Sequence, residues 1–256
     1  MNTIIGVLRM AAVVTVAFAG LVPLFVASLY PFQIHNAPAS LWVVVILARI
    51  FNLIMNVRVN CFGGESICGY GGFIFANHTS YLEALALVSV GPVRFLAAIE
   101  VRLRPVSGWM AAQAGTIFVR REDKTSRSQA RNAMARALTR SQYPPLVVFP
   151  EGRLGQGDRI LPFSFGAFEI AVEYQIPYLV CAIHYSQPDV AIWRGPRGEL
   201  LSSAIWRLAK SRHGVFVDIR PIYVVTPSQN DDPRQLARDA RRAIARELGL
   251  ESDIPN

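Results

Sequence analysis

Residues 72–83 read Gly72-Phe-Ile-Phe-Ala-Asn-His-Thr-Ser-Tyr-Leu-Glu83: an apolar run that ends in a polar turn with a histidine, and a carboxylate five positions on. Four consecutive apolar residues followed by Asn-His read as a strand that delivers His78 rigidly to a sheet edge. Glu83 can then fix the imidazole tautomer and raise its basicity. Alone, such a pair is a common spacing. Two later stretches give it weight, because Gly115-Thr-Ile-Phe-Val-Arg-Arg121 and Phe149-Pro-Glu-Gly-Arg153 also place charged residues at the end of strand-like runs.

Working outward, strand-like runs at 57–62, 72–76, 93–99, 115–120, 145–149, 178–183 and 214–225 alternate with helical patterns near 80–90, 126–141, 164–175 and 232–248. The last helix has Asp231-Asp232-Pro233 as cap and first turn and Gly249 as its stop. This alternation predicts an α/β fold: one mixed-sheet domain flanked by helices, over 57–256. The glycines of 63–72 (Gly63-Gly64, Gly69, Gly71-Gly72) lack the Lys and Ser/Thr of a phosphate-binding loop and read as turns.

Ahead of that domain, residues 10–30 carry no charge. At ~1.5 Å per helical residue they match a hydrocarbon core of ~30 Å. The run is longer than the apolar core of a signal peptide, and Ala37-Pro-Ala-Ser40 lies too far beyond it for a cleavage site, so an anchor is expected. A second apolar stretch, 41–56, is interrupted by Arg49 and reads as an interfacial or re-entrant helix with Trp42 near the headgroups. Residues 1–56 are thus expected to be membrane-anchoring helices. Arg9, Arg49 and Arg58 flank the pair and the loop 31–40 has no Lys or Arg. Both ends then fall on the cytoplasmic side, as a hairpin or as one span plus a surface helix.

At 256 residues, 52% hydrophobic but only 17% charged, the chain fits a globular domain with membrane-active segments. Its net charge is +8, and Lys124 and Lys210 are the only lysines. An arginine-rich surface favours anionic headgroups or phosphate-bearing substrates. No zinc-ligand spacing or nucleic-acid module accompanies it, so neither metal nor nucleic acid is expected. Cys61, Cys68 and Cys181 have no framework spacing and read as buried thiols of a reducing compartment. His35, His184 and His213 have no partner pattern and read as structural.

Asn77-His-Thr-Ser-Tyr-Leu-Glu83 resembles the first block, Asn-His-x4-Asp, of the glycerolipid acyltransferases, which acylate glycerol-3-phosphate and lysophosphatidic acid. The later blocks follow in order. Gly115–Arg121 looks like the second, Phe149-Pro-Glu-Gly152 like the third, and Leu161-Pro-Phe-Ser-Phe-Gly-Ala-Phe168 like its Pro-Phe-Lys-x-Gly-Ala-Phe extension. Ile176-Pro-Tyr-Leu-Val-Cys181 is similar to the fourth, with Val180 for its second proline. Phe95-Leu-Ala, Glu100 and Pro105-Val-Ser-Gly-Trp109 match the connecting segment. The resemblance covers roughly residues 57–225.

It implies an O-acyltransferase that moves a fatty acyl group from acyl-CoA or acyl-carrier protein, as co-substrate, to a lysophospholipid, with no cofactor. The favoured acceptor is 1-acylglycerol-3-phosphate, the product phosphatidic acid, and the setting the cell inner membrane with the catalytic domain facing the cytoplasm. His78 is the general base and Glu83 its orienter. The chain has no Gly-x-Ser-x-Gly, which favours direct transfer without an acyl-enzyme. Arg121, Glu151 and Gly152, with Gly115 and Arg153, are the implied substrate-binding residues. Arg suits a phosphate because its planar fork donates two parallel bonds, and Gly152 would let backbone N–H groups come close. Surface charge explains Arg120 and Arg153 equally well. Glu151 either accepts from the acceptor hydroxyl or braces its loop.

Three departures bear on the acceptor. The first-block Asp is Glu83, the Thr-Arg that usually follows the third block is Arg153-Leu154, and the extension's lysine is Ser164. A lyso-ornithine lipid is therefore the alternative acceptor, and a non-catalytic lipid-binding scaffold of the same fold the alternative class. Arg127, Arg131 and Arg136 share a helix spacing that reads as a solvated face, with anionic lipid as the other reading. Trp193-Arg194 reads as a loop anchor rather than a membrane contact.

Overall fold

The computed structural model describes residues 2–30, 32–63, 67, 69–195 and 198–250. Gly64 and Cys68 of the glycine-rich stretch, and the end of the domain at 251–256, lie outside the described residues. Helices α1 (Asn2–Ala19) and α2 (Leu21–Leu29) lead through a small antiparallel pair, β1 (Gln33–Ile34) and β2 (Ala37–Pro38), into α3 (Ala39–Met55). Then come β3 (Val57–Cys61), β4 (Phe73–Ala76), α4 (Leu82–Val90), β5 (Arg94–Ala98), α5 (Ile99–Arg102), α6 (Ser107–Gln113) and β6 (Ile117–Val119). The chain continues with α7 (Lys124–Arg140), β7 (Leu146–Val148), α8 (Gly166–Glu173), β8 (Tyr178–Tyr185), α9 (Pro188–Ala191), α10 (Leu201–Lys210), β9 (Val215–Val225) and α11 (Pro233–Glu247).

The larger sheet has the order β3-β9-β8-β4-β7-β5-β6. The strands from β8 to β6 are mutually parallel; β9 is antiparallel to β8, and β3 runs with β9. The sheet is therefore mixed and helices cover both faces, as the alternation of the sequence predicts. Parallel strands buried on both sides read as continuous apolar runs, which is why β4 is Phe-Ile-Phe-Ala.

Side-chain alternation along β4 sorts the core and also aims the histidine. Phe73 and Phe75 pack with Tyr178, Phe168 and Ile244 on the α8–α11 face, with the Phe75 and Phe168 rings stacked 4.0 Å apart. Ile74 and Ala76 pack with Leu82, Leu179 and Val217 on the face covered by α3 and α4. Continued by two residues, the same parity sends His78 to the α4 face, where Glu83 lies.

The expectation for 41–56 changes. α3 is part of that face: Leu41, Val44, Val45, Ala48 and Met55 are buried in the same core as α4 and the sheet. The run reads as an interfacial or re-entrant segment because one flank meets the sheet layer and α1–α2 cover much of the rest, leaving Ile46 and Leu53 outside. The boundary drawn between 56 and 57 thus crosses one continuous core. Arg49 donates to the carbonyls of Ser89 and Val90, and Arg9 to those of Ala209 and Ser211, so these charges tie helices to the domain. The segment Asn2–Leu29 is long and apolar enough to cross a membrane, and only 11% of its most apolar window is buried. Val14, Phe18, Val22, Phe25 and Leu29 stand exposed along it.

Other expectations settle on inspection. Cys181 is buried and Cys61 half-buried. Arg127 and Arg136 are exposed, and the partly exposed Arg131 also ion-pairs with Glu169 and Glu173 of α8, linking the two helices from a solvated face. Trp193 is buried with its indole N–H on Glu199 O (2.9 Å), a loop anchor. Helix α10 has no counterpart among the expected elements.

Gly72 opens β4 with φ +116°, and a Cβ there would lie 2.1 Å from Pro177 O. Backbone cannot yield as a side-chain tip can, so Gly72→Ala combines a forbidden conformation with a clash and costs about 3 kcal/mol or more. At ~2–4 °C per kcal/mol for a domain of this size, its thermal midpoint falls by roughly 6–12 °C. An unchanged midpoint would contradict this placement of the strand.

Candidate active site

The carboxyl ends of β4, β7, β5 and β6 meet one edge of the sheet, where parallel α/β folds bind ligands. From β4 the chain enters the turn Asn77–Ser80. The Asn77 side chain clamps β8, donating to Ile183 O (3.0 Å) and accepting from Ile183 N–H (2.8 Å). The His78 carbonyl accepts from Gly155 N–H (2.7 Å), and the Thr79 carbonyl from Trp193 N–H (3.1 Å). Ser80 donates its hydroxyl to Ala191 O (2.6 Å). Loops from three directions hold the turn rigid.

Glu83 stands in the first turn of α4 and is fully buried. One carboxylate oxygen accepts from Thr79 N–H (2.8 Å), the Thr79 hydroxyl (2.9 Å) and Ser80 N–H (2.9 Å). The other lies 2.7 Å from His78 Nδ1 and 3.0 Å from Ser80 N. A buried carboxylate is costly unless its oxygens are paired, and here donors and the positive end of the helix meet them. The contact assigns the proton to Nδ1 and leaves Nε2 as the basic atom. The imidazole stacks on Phe149 (centroids 4.2 Å apart, planes at 11°), which fixes its second rotational degree of freedom. Its side chain keeps 21% exposure, open to a substrate. Behind it, burial first and the Glu83 charge second push the Tyr185 phenol well above its ordinary value, so it stays neutral.

Glu151 braces the turn. Its carboxyl accepts from His78 N–H (2.7 Å) and Leu161 N–H (2.9 Å), tying the loop after β7 to the loop after β4. Burial raises its pKa from 4.5 to about 7, against the lowering effect of those two bonds. Of the two roles open to it in the sequence, the bonds observed are those of a brace.

The remaining candidates separate. Arg121 and Arg153 are exposed on the same edge, and neither pairs with a carboxylate among the described residues. β6 lies three strands from β4, roughly 14 Å at ~4.8 Å per strand, and Arg121 follows its carboxyl end. Gly152 has φ +67° and donates its own N–H to Phe149 O (3.0 Å), so its amide closes the turn. Gly115 (φ +72°) caps α6, its N–H on Ala112 O (3.1 Å), at the amino end of β6 and the far side of the sheet. Thr79, Ser80 and Phe149, which complete the site, carry no sequence signal of their own beyond adjacency to His78 and Glu151. Among the described residues no three His, Cys, Asp or Glu side chains are grouped to hold a metal.

Residues 58–184 match a family model described as Acyltransferase. A lyso-ornithine lipid O-acyltransferase of Pseudomonas aeruginosa is 33% identical over 171 residues, covering 66% of this chain and 64% of that one. A 1-acyl-sn-glycerol-3-phosphate acyltransferase of Neisseria gonorrhoeae is 26% identical over 186 residues, 72% of each chain. The crystal structure of the 1-acyl-sn-glycerophosphate acyltransferase of Thermotoga maritima superposes over 100% of both chains with a TM-score of 0.72 at 19% identity, a likeness of fold.

Two outcomes test this geometry. Glu83→Gln presents an amide N–H to backbone donors and destabilises the fold by about 1–3 kcal/mol. Glu83→Asp keeps the charge but shortens the reach to Nδ1, lowering kcat by about tenfold or more with little change in KM; equal kcat in Glu83→Asp and wild type would dismiss the contact. For Glu151, the folded state holds a proton between pH 4.5 and about 7 that the unfolded chain has lost. Stability thus falls as pH rises through that window and levels above it. Thermal midpoints of wild type and Glu151→Gln should diverge in favour of the variant on going from about pH 5 to about pH 8; a constant difference would exclude the buried titration.

Proposed function

The chain belongs to the acyltransferase family, and from that premise we propose that it transfers a fatty acyl group from a thioester, acyl-CoA or acyl-carrier protein, to the free hydroxyl of a lysolipid. The observation that carries this reading is the His78–Glu83 dyad: Nδ1 locked on a fully satisfied carboxylate, Nε2 free, at the ligand-binding edge of the sheet. Nε2 takes the proton of the acceptor hydroxyl as its oxygen attacks the thioester carbonyl. The C–O bond forms, the C–S bond breaks, and the imidazolium returns its proton to the departing thiolate. General-base help of this kind contributes about 10²–10⁴-fold. The base is needed because a free hydroxyl is a poor nucleophile.

For the acceptor, 1-acylglycerol-3-phosphate has the support of the Neisseria relative and of Arg121 and Arg153, whose guanidinium groups are uncommitted. A lyso-ornithine lipid has the support of the Pseudomonas relative and of Ser164, where the family's extension has a lysine. The apolar segment Asn2–Leu29 anchors the enzyme in the cell inner membrane, with the catalytic domain on the cytoplasmic side.

Acyl transfer from a radiolabelled thioester to a panel of lysolipids tests the reading. Wild type acylates at least one, with a preference for either 1-acylglycerol-3-phosphate or lyso-ornithine lipid, and His78→Ala lowers kcat by about 10²-fold or more. No transfer to any acceptor would leave a lipid-binding scaffold. Full activity in His78→Ala would remove the base.

A further inference from the structure

Strand β8 passes behind the dyad and carries a buried phenol for which the proton transfer has no use. Ala76 pairs with Cys181, and the Asn77 side chain clamps Ile183. Two residues further along the strand, Tyr185 therefore stands about level with the turn at Ser80. Cys181, Ile183 and Tyr185 share one face of β8, the face covered by α3 and α4, and Tyr185 is buried there in the same core as Leu82 and Ala191. Ala191 O in turn accepts the Ser80 hydroxyl (2.6 Å), which closes the space around the ring from the side of α9.

The Tyr185 hydroxyl faces the Glu83 carboxylate and the Ser80 hydroxyl, yet completes a hydrogen bond of ordinary geometry with no described residue. A phenol so placed costs stability, because its donor has lost water without gaining a full partner. It stays neutral, so it has a proton to offer a carboxylate that is itself shut off from water. The other ionisable groups on this side are engaged differently. Glu151 is a second carboxylate, and the Arg207 guanidinium of α10 is committed to Glu199 and to the carbonyls of Val190 and Ile192. The Tyr81 phenol lies towards that ion pair.

Glu83 reaches Nδ1 (2.7 Å) through one more rotatable bond than aspartate would use. Shielded from water and so close, it competes for the Nδ1 proton as the imidazole gains charge. A neutral donor aimed at it from behind restrains the side chain and favours its ionised form. We propose that Tyr185 is a positioning residue of the dyad: its hydroxyl, directed at Glu83, holds the carboxylate against Nδ1 and keeps that proton on the imidazole while Nε2 works. The inference rests on the acyltransferase reading and adds a third member to its base and orienter.

Tyr185→Phe keeps the ring and deletes the hydroxyl. In the intact, detergent-solubilised chain kcat for acyl transfer falls about tenfold, the worth of one bond to a charged group, while KM for thioester and for lysolipid stays put. The thermal midpoint does not fall, since the deleted group has no ordinary partner. In chain carrying isotope-labelled histidine, the Nδ1 proton resonance of His78, assigned by its loss in His78→Asn, moves further downfield as the released carboxylate draws harder on it. Tyr70→Phe deletes another buried hydroxyl without a described partner, at the amino end of β4, and leaves kcat and the resonance unchanged. Three results overturn the assignment: kcat equal to wild type in Tyr185→Phe, an equal loss in Tyr70→Phe, or an unmoved resonance. If wild type transfers to no lysolipid, the acyltransferase reading fails, and the resonance still decides whether the phenol acts on the dyad.

Discussion

The site depends on one buried negative charge. Glu83 is removed from water entirely, which would be expensive for an isolated carboxylate, and donors of the turn before it meet its oxygens. The amides of Thr79 and Ser80 point inward, the Thr79 hydroxyl adds a donor, and α4 begins one residue earlier so that its positive end faces the charge. Because those donors belong to the backbone of the turn, the turn has one conformation in which they all reach. That conformation sets His78 against the second oxygen. The dyad is thus a consequence of satisfying the carboxylate as much as the reverse.

The sheet supplies the remaining constraint. Strand alternation in β4 assigns His78 to the α4 face before any loop is considered, and the parallel neighbour β7 delivers Glu151 to the same edge. Glu151 then closes a bridge from His78 N to Leu161 N. It has two backbone donors where Glu83 has four donor groups, and burial raises its pKa to about 7 against the lowering effect of those two bonds.

Much of this was legible in the chain. The apolar runs located all seven strands of the main sheet, and Asp232-Pro233 with Gly249 bracketed α11, since capping and hydrophobic period are local properties. Layering was not legible. The run at 41–56 has the composition of a membrane-facing helix and the position of a core helix, and only its packing on α4 and the sheet separates the two. Helix α10 escaped notice because its apolar side is short and amphipathic, without a capping residue at Leu200. At the site, His78, Glu83 and Glu151 were readable from block spacing. Gly115 and Gly152, expected beside a substrate, show in the structure a role that spacing does not reveal: both have positive φ, and both use their amides to close turns.

The substitution of Glu83 for aspartate gains a physical meaning from this arrangement. An orienting carboxylate needs one oxygen on Nδ1; Glu83 also gathers Thr79 and Ser80 with the other. The extra methylene does not displace the contact, which stays at 2.7 Å, so reach is absorbed within the helix's first turn. The side chain carries a bond network that spans the turn. Rigidity of the turn matters because the histidine carbonyl and amide are themselves held, by Gly155 and Glu151, to the loop after β7. His78, Glu83 and the loops that carry Gly155 and Glu151 are therefore joined in one hydrogen-bonded unit.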